Sequence, residues 1–244
     1  MSELSYKTGL PKSTVHSILA TFALQGFVER VENEAYSLGK AAIILGRSVR
    51  VNVEIRDRAA PYLNQLASDC GQSIYLTCLH GDMILYIYAI ESPNRLLART
   101  AVGELVPLHC TANGKSIAAL LNDNERKEIF SRSKLIEFTP YTITSPELLE
   151  KELCEVRNQG YALDRQEHEI GTYCLGAPII DARNQVIGAI SISGQDPEII
   201  ESKAQDYSML LRSTAQEVSR RMGYVPSLPS QIIKTPIKSV PEGD

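Results

Sequence analysis

The sequence predicts an α+β protein in two parts: a small N-terminal winged helix-turn-helix, and a larger domain whose mainly antiparallel sheet is flanked by helices. Three observations carry that expectation. A helical apolar period ends at Gly26 and is followed by two short alternating runs. The composition then changes near residue 50. Beyond that point, strand-like runs early and late enclose helical segments.

In the head, Gly9-Leu10 separates a short helix, about Glu3 to Thr8 with Ser2 placed to cap it, from a second helix. Pro11 suits the first position of that second helix, where its missing N–H would have had no partner. Val15, Ile18, Leu19 and Phe22 then fall at i, i+3, i+4 and i+7, on one apolar face. After Gly26, FVERVENEAYSLG alternates on either side of Glu32-Asn33-Glu34, the pattern of a small β-hairpin. The divisions expected are a head over 1–40, a linker helix over 41–53, a larger domain over 54–223 and a tail over 224–244. The tail, with four prolines from Pro226 onward and no helical or strand period, reads as disordered.

The larger domain opens with the helix EIRDRAAPYLNQLASDCG, which Pro61 is expected to kink or break. QSIYLTCLH and MILYIYAIE read as strands joined at His80-Gly81-Asp82, with LLARTAV as a third. Thr111 caps the helix ANGKSIAALL, DNERKEIFSR continues as helix, and Ser145-Pro146 starts another that Gly160 stops. YALDRQE, TYCLGAPIID and QVIGAISISG are strands, the last two joined at Arg183-Asn184. Asp196-Pro197 is expected to open a long terminal helix reaching about Met222.

Composition narrows the function. Of 244 residues, 43% are apolar and 22% charged, ordinary values for a globular protein. No apolar run approaches the length of a membrane helix, and MSELSYKTGL lacks the apolar stretch of a signal peptide. The five cysteines are scattered without a CxxC pair, so neither a zinc ribbon nor a thioredoxin-type site is supported. Reduced thiols in a cytoplasmic protein are expected. Residues 1–50 hold six Lys/Arg against four Asp/Glu, while the remainder holds 19 against 25. A slightly basic head on an acidic body is compatible with a head that meets nucleic acid.

Chemistry-bearing residues fall in two places. Lys12, Ser13, Thr14, His16 and Ser17 sit near the start of the second helix, where side chains reach base edges and backbone amides meet phosphate. Their plain explanation is a helix with a polar outer face. The second place is Asn113-Gly114, which opens a helix whose unpaired N–H groups can hold a carboxylate. Ser191 and Ser193, two apart on a strand, present paired hydroxyls on one face, and Asp164 and Cys174 lie on the preceding strands. Taken singly, the serines could simply bond across the sheet and Cys174 could be a small core residue. Together they mark a pocket. A thiol hydrolase using Cys174 with His168 and Asp164 has the right residue types. No phosphate loop, nucleophile elbow or HExxH motif accompanies them. Scattered His109, Asp164, His168 and Cys174 have no metal-ligand spacing. We expect no enzyme, cofactor or metal.

TGLPKSTVHSILATFALQGFVER, VPLHCTANGKSIAALL and NQGYALDRQEHEIGTYCLGAPIIDARNQVIGAISISG together resemble the IclR-type (isocitrate lyase regulator) bacterial transcription regulators, in order and in register over about residues 2–223. The resemblance implies an N-terminal winged helix-turn-helix, a linker helix and a GAF-like effector domain. It implies binding of operator double-stranded DNA as a homodimer or homotetramer, modulated by a small organic acid. At the matching positions, Ala112, Asn113, Gly114, Asp164, Cys174, Ser191 and Ser193 would line the effector pocket, with Arg95, Ala98 and Val106 in a segment supplying its apolar side. The family carries a further helix before the position where this sequence starts. The resemblance therefore implies an incomplete head. A free-standing carboxylate-binding module that no longer touches DNA is the alternative reading.

Overall fold

The computed structural model describes residues 2–31, 35–48, 53–92 and 102–226. They form two compact units divided between Glu54 and Ile55.

In the first unit, α1 (Ser2–Thr8) and α2 (Lys12–Leu24) are followed by β1 (Val28–Arg30), β2 (Tyr36–Leu38) and α3 (Lys40–Ser48). Ser2 lies inside α1 rather than capping it. Gly9, at φ 67°, supplies the left-handed turn between the helices. Val15 and Leu19 are buried, but Ile18 and Phe22 on the same stripe remain exposed. β1 and β2 pair antiparallel, Val28 opposite Leu38. The hairpin tip expected at Glu32-Asn33-Glu34 lies outside the described residues.

The second unit runs α4 (Val53–Cys70), β3 (Ser73–His80), β4 (Met83–Ile90), β5 (Leu105–Pro107), α5 (Ala112–Leu120), α6 (Asp123–Arg132), α7 (Pro146–Gln159), β6 (Ala162–Arg165), β7 (Tyr173–Ile180), β8 (Val186–Gly194) and α8 (Ala204–Arg221). Six strands form one antiparallel sheet in the order β5-β4-β3-β8-β7-β6. Both faces are covered, which explains why the first six residues of β3 are all buried instead of alternating. On one face Leu63 and Leu66 of α4 and Leu211 and Val218 of α8 pack on Ile74, Leu175, Ile190 and Ile192. On the other, Ile117 of α5, Ile129 of α6 and Leu153 of α7 pack on Ile84, Ala162 and Ala189.

Two expectations need correction. α4 runs unbroken through Pro61. The terminal helix begins at Ala204, not at Asp196-Pro197. Asp196 instead caps a single 3-10 turn, Pro197–Ile199, whose Ile199 is drawn into the core. That anchor bends the chain before α8 can start. The strand expected at LLARTAV falls almost wholly outside the described residues, and the strand beside β4 is β5. The tail beyond Pro226 and the end of the linker region, 49–52, are also outside them.

β6 has four residues and β7 has eight, so Ala177–Ile180 has no partner strand on that side. The Ile180 N–H donates instead to Ser219 Oγ at 3.0 Å, and Pro178 has no N–H to offer.

α5 is buried from Ala112 to Ala119, which demands small residues and close backbone contact. A Cβ on Gly176 would lie 2.5 Å from the Ala112 backbone, and one on Gly114 would collide with the Leu108 backbone. Gly176→Ala should therefore lower stability by about 1–3 kcal/mol, the usual cost of overpacking, read as a fall in the urea midpoint. An unchanged midpoint would show that α5 is free to move away from β7.

Candidate functional site

Cross-strand register assembles the larger site. Asp164 on β6 pairs with Cys174 on β7, Cys174 with Ser193 on β8, and Ser193 with Ser73 on β3. Directly paired residues share a face, so these four polar side chains form a row across the sheet. In the next row, Gly176 pairs with Ser191 and Ser191 with Tyr75. Gly176 has no side chain, and the N-terminus of α5 descends onto the sheet there.

Thr111 directs that descent. Its hydroxyl caps α5, accepting from Gly114 N–H at 3.0 Å. Six of the seven expected pocket residues, Ala112, Asn113, Asp164, Cys174, Ser191 and Ser193, line one cleft of about 30 Å³. Gly114 does not. Its N–H is taken by the cap and its Cα packs on Leu108. Val106 is buried in the core beside α5, and Arg95 and Ala98 lie outside the described residues. Tyr75, Tyr86, Thr111, His168, Glu169 and Thr172 complete the lining. Tyr75 and Tyr86 meet edge to face at 5.6 Å. The alternation in QSIYLTCLH could have placed Tyr75 on the serine face; His168, Glu169 and Thr172 come from a loop that carries no such period.

The electrostatics are unusual for an anion site. Burial, with the neighbouring Glu167 charge, pushes the Asp164 carboxyl up to about 7, opposed by Lys115. Asp164 Oδ1 accepts from Glu167 N–H at 2.7 Å. Lys115 has no solvent exposure, and its Nζ lies 2.5 Å from Glu167 Oε1 and 3.0 Å from Glu152 Oε1. Burial lowers the His168 and His109 imidazoles and raises the Tyr86 phenol and the Cys110 thiol. Among the described residues the cleft lining thus has two carboxylate residues, Asp164 and Glu169, and no Lys or Arg. Cys174 Sγ donates to Ser193 Oγ at 3.0 Å. Asn113 is buried, and among the described residues neither its Nδ2 nor its Oδ1 has a hydrogen-bond partner. No group of three or more His, Cys, Asp or Glu among the described residues is placed to hold a metal ion.

In the first unit, Lys12, Ser13, Thr14, His16 and Ser17 are all exposed on the first turns of α2. Pro11 precedes the helix and gives it no side-chain cap, leaving the first-turn amides without a side-chain acceptor. Ser17 Oγ donates back to Ser13 C=O at 3.1 Å.

The sequence model described as "Bacterial transcriptional regulator IclR C-terminal" matches residues 48–220, and that of the "IclR helix-turn-helix domain" matches residues 1–32. The chain belongs to the IclR family of transcriptional regulators. Among IclR-family relatives, it is 33% identical to the HTH-type transcriptional regulator XynR of Escherichia coli K12, over 92% of this chain and 89% of XynR. It is 34% identical to KdgR of the same organism, over 92% and 86% of the two chains. The crystal structure of the Thermotoga maritima IclR superposes with a TM-score of 0.78 and 34% identity, covering 91% of this chain and 90% of that one. These IclR-family relatives are regulators, and nothing in the comparisons points to a thiol hydrolase or a free-standing module. Among the described residues no helix is long and apolar enough to cross a membrane.

The Lys115 network gives a direct test of how the cleft is held. Lys115→Met strands the Glu167 carboxylate in the interior, where Glu167 Oε2 already has no partner among the described residues. Breaking a buried pair typically costs about 3–5 kcal/mol. In urea unfolding, Lys115→Met should show a loss of that order, and Lys115→Met with Glu167→Gln should recover most of it.

Proposed function

We propose that this IclR-family regulator binds operator double-stranded DNA through its head, over residues 1–40, and that a small organic acid in the α5–β8 cleft modulates the binding. Lys12, Ser13, Thr14, His16 and Ser17 face the DNA, and the α2 first-turn amides face phosphate. Ala112, Asn113, Asp164, Cys174, Ser191 and Ser193 hold the effector, with Gly114 shaping the helix start behind them. The regulator works in the cytoplasm as a homodimer or homotetramer.

The observation that carries the effector reading is the Asn113 carboxamide, buried at the cleft with both polar atoms unpartnered among the described residues. Leaving a buried polar group unsatisfied costs about 1–3 kcal/mol. A ligand presenting both an acceptor and a donor removes that cost. The helix start takes the ligand's carboxylate, and Ser191, Ser193 and Asp164 take a keto, hydroxy or sugar-acid oxygen. About 30 Å³ is room for one water, so the lining parts when an organic acid enters.

Charge then sets the pH dependence. Glu167 adds negative charge beside Asp164, burial lowers the His168 imidazole, and Lys115 is engaged by Glu167 and Glu152. An incoming anion raises the Asp164 carboxyl further, so above about pH 7 each binding event takes up a proton there. Affinity should be greatest below that pH and fall by up to about tenfold per unit above it.

Titration calorimetry of the chain with keto, hydroxy and sugar acids, in buffers of differing ionisation heat, tests this reading. Ser191→Ala and Ser193→Ala should each weaken binding by up to about tenfold, the upper worth of a neutral hydrogen bond. Asp164→Asn should bind without proton uptake. Retardation of DNA flanking its own gene should respond to the same acid and weaken in Lys12→Ala. Failure of every acid to bind, or binding indifferent to both serines, would put the effector elsewhere.

A further inference from the structure

A second and larger cleft, of about 220 Å³, lies at the other end of α5. It sits beyond the first residue of β6, against the unpartnered half of β7, and is walled by α5, the C-terminus of α7 and α8. Leu120 and Pro178 give it an apolar floor. Its rim carries Arg157 and Arg212, and among the described residues no Asp or Glu lines it, in a chain of net charge −4.

The two guanidinium groups have different tasks. α5 and α7 both end at this cleft, and their last carbonyls favour a nearby cation. Arg157 answers that demand: Nη1 lies 3.4 Å from Ala119 C=O, and Nη2 is 3.0 Å from Glu150 Oε1. Arg212 has neither an ion pair nor a hydrogen bond among the described residues. It lies over Gly160, where even a Cβ would come within 3.2 Å of its Nε. Glycine therefore keeps the guanidinium seated at the rim, with its charge unspent. Beside it, Gln216 adds a neutral carboxamide.

We infer that this cleft is a second small-molecule site, for a monocarboxylate with a compact apolar body. The carboxylate meets Arg212, and the body rests on Leu120 and Pro178. The volume is below the usual range for drug-sized ligands, which limits the body to a single ring or a short chain. The site also touches the effector cleft through one helix. Ser116 lines the second cleft, and its Oγ donates to Asn113 C=O at 2.9 Å, within the turn of α5 that lines the first. An occupant pressed against α5 hinders the small helix shift that opens the effector cleft, so it opposes effector binding. That coupling rests on the effector reading above; occupancy of the second cleft does not.

Phenylacetate, titrated calorimetrically into the full chain, is the probe. One molecule should bind per chain. Arg212→Glu, and independently Gln216→Trp at an exposed position on the rim, should each weaken it by about tenfold or more. Ser193→Ala should leave it unchanged. On binding, amide hydrogen exchange over residues 112–116 should slow. Absence of binding, or binding kept in Arg212→Glu and lost in Ser193→Ala, overturns the second site. Binding with exchange over 112–116 unaltered overturns the coupling.

Discussion

The second unit depends on one constraint, the burial of α5 with its backbone pressed directly onto the sheet. Glycine at 176 lets Ala112 and Asn113 reach the strand, and glycine at 114 lets the same helix pass over Leu108. From this contact follow the small side chains of ANGKSIAAL, the Thr111 cap and the convergence of a helix start with the polar row of β6, β7 and β8. A bulkier helix would stand away from the sheet, and no small cleft would form between them.

Burying this helix brought Lys115 into the interior with it. A lone ammonium there would be untenable, so Glu167 and Glu152 close on it from the β6–β7 connection and from α7. The connection is held in turn by Asp164, which accepts from the Glu167 amide. Charge balance and loop position are therefore one problem. The result is a cleft edged by acidic groups, and its affinity for any anion depends on where protons reside.

Local signals in the sequence were sufficient wherever the chain is shaped by its neighbours in sequence. Thr111, Ser145-Pro146 and Gly160 mark helix ends by their own capping chemistry, and the helices begin and end beside them. Ser191 and Ser193 were legible as a same-face pair because period-two strands put alternate residues on one face, whereas Asp164 and Cys174, on separate strands, were marked by the family resemblance. What escaped was set by distance along the chain. Lys115 and Glu167 meet across 52 residues, and Ser73 joins the polar row only through the pairing of β3 with β8. Asp196-Pro197 signals a helical start without specifying its length, and the pull of the core on Ile199 limited it to one turn. Of the stripe on α2, the sequence could say which residues share a face. It could not say that Ile18 and Phe22 would be left uncovered in the first unit.

The edges of the sheet hold a consequence for how copies of this chain can meet. An open strand edge is a template on which another chain can add its own strand, the usual route to runaway association. Here both edge regions carry proline: Pro107 closes the three-residue β5, and Pro178 interrupts the donors of β7 beyond the start of β6, while Ser219 occupies the amide of Ile180. Among the described residues, neither β5 nor the uncovered half of β7 offers a continuous ladder of amides. Copies of the second unit are thereby steered toward contacts between side chains, which can be closed, symmetric and reversible, and away from an extended sheet.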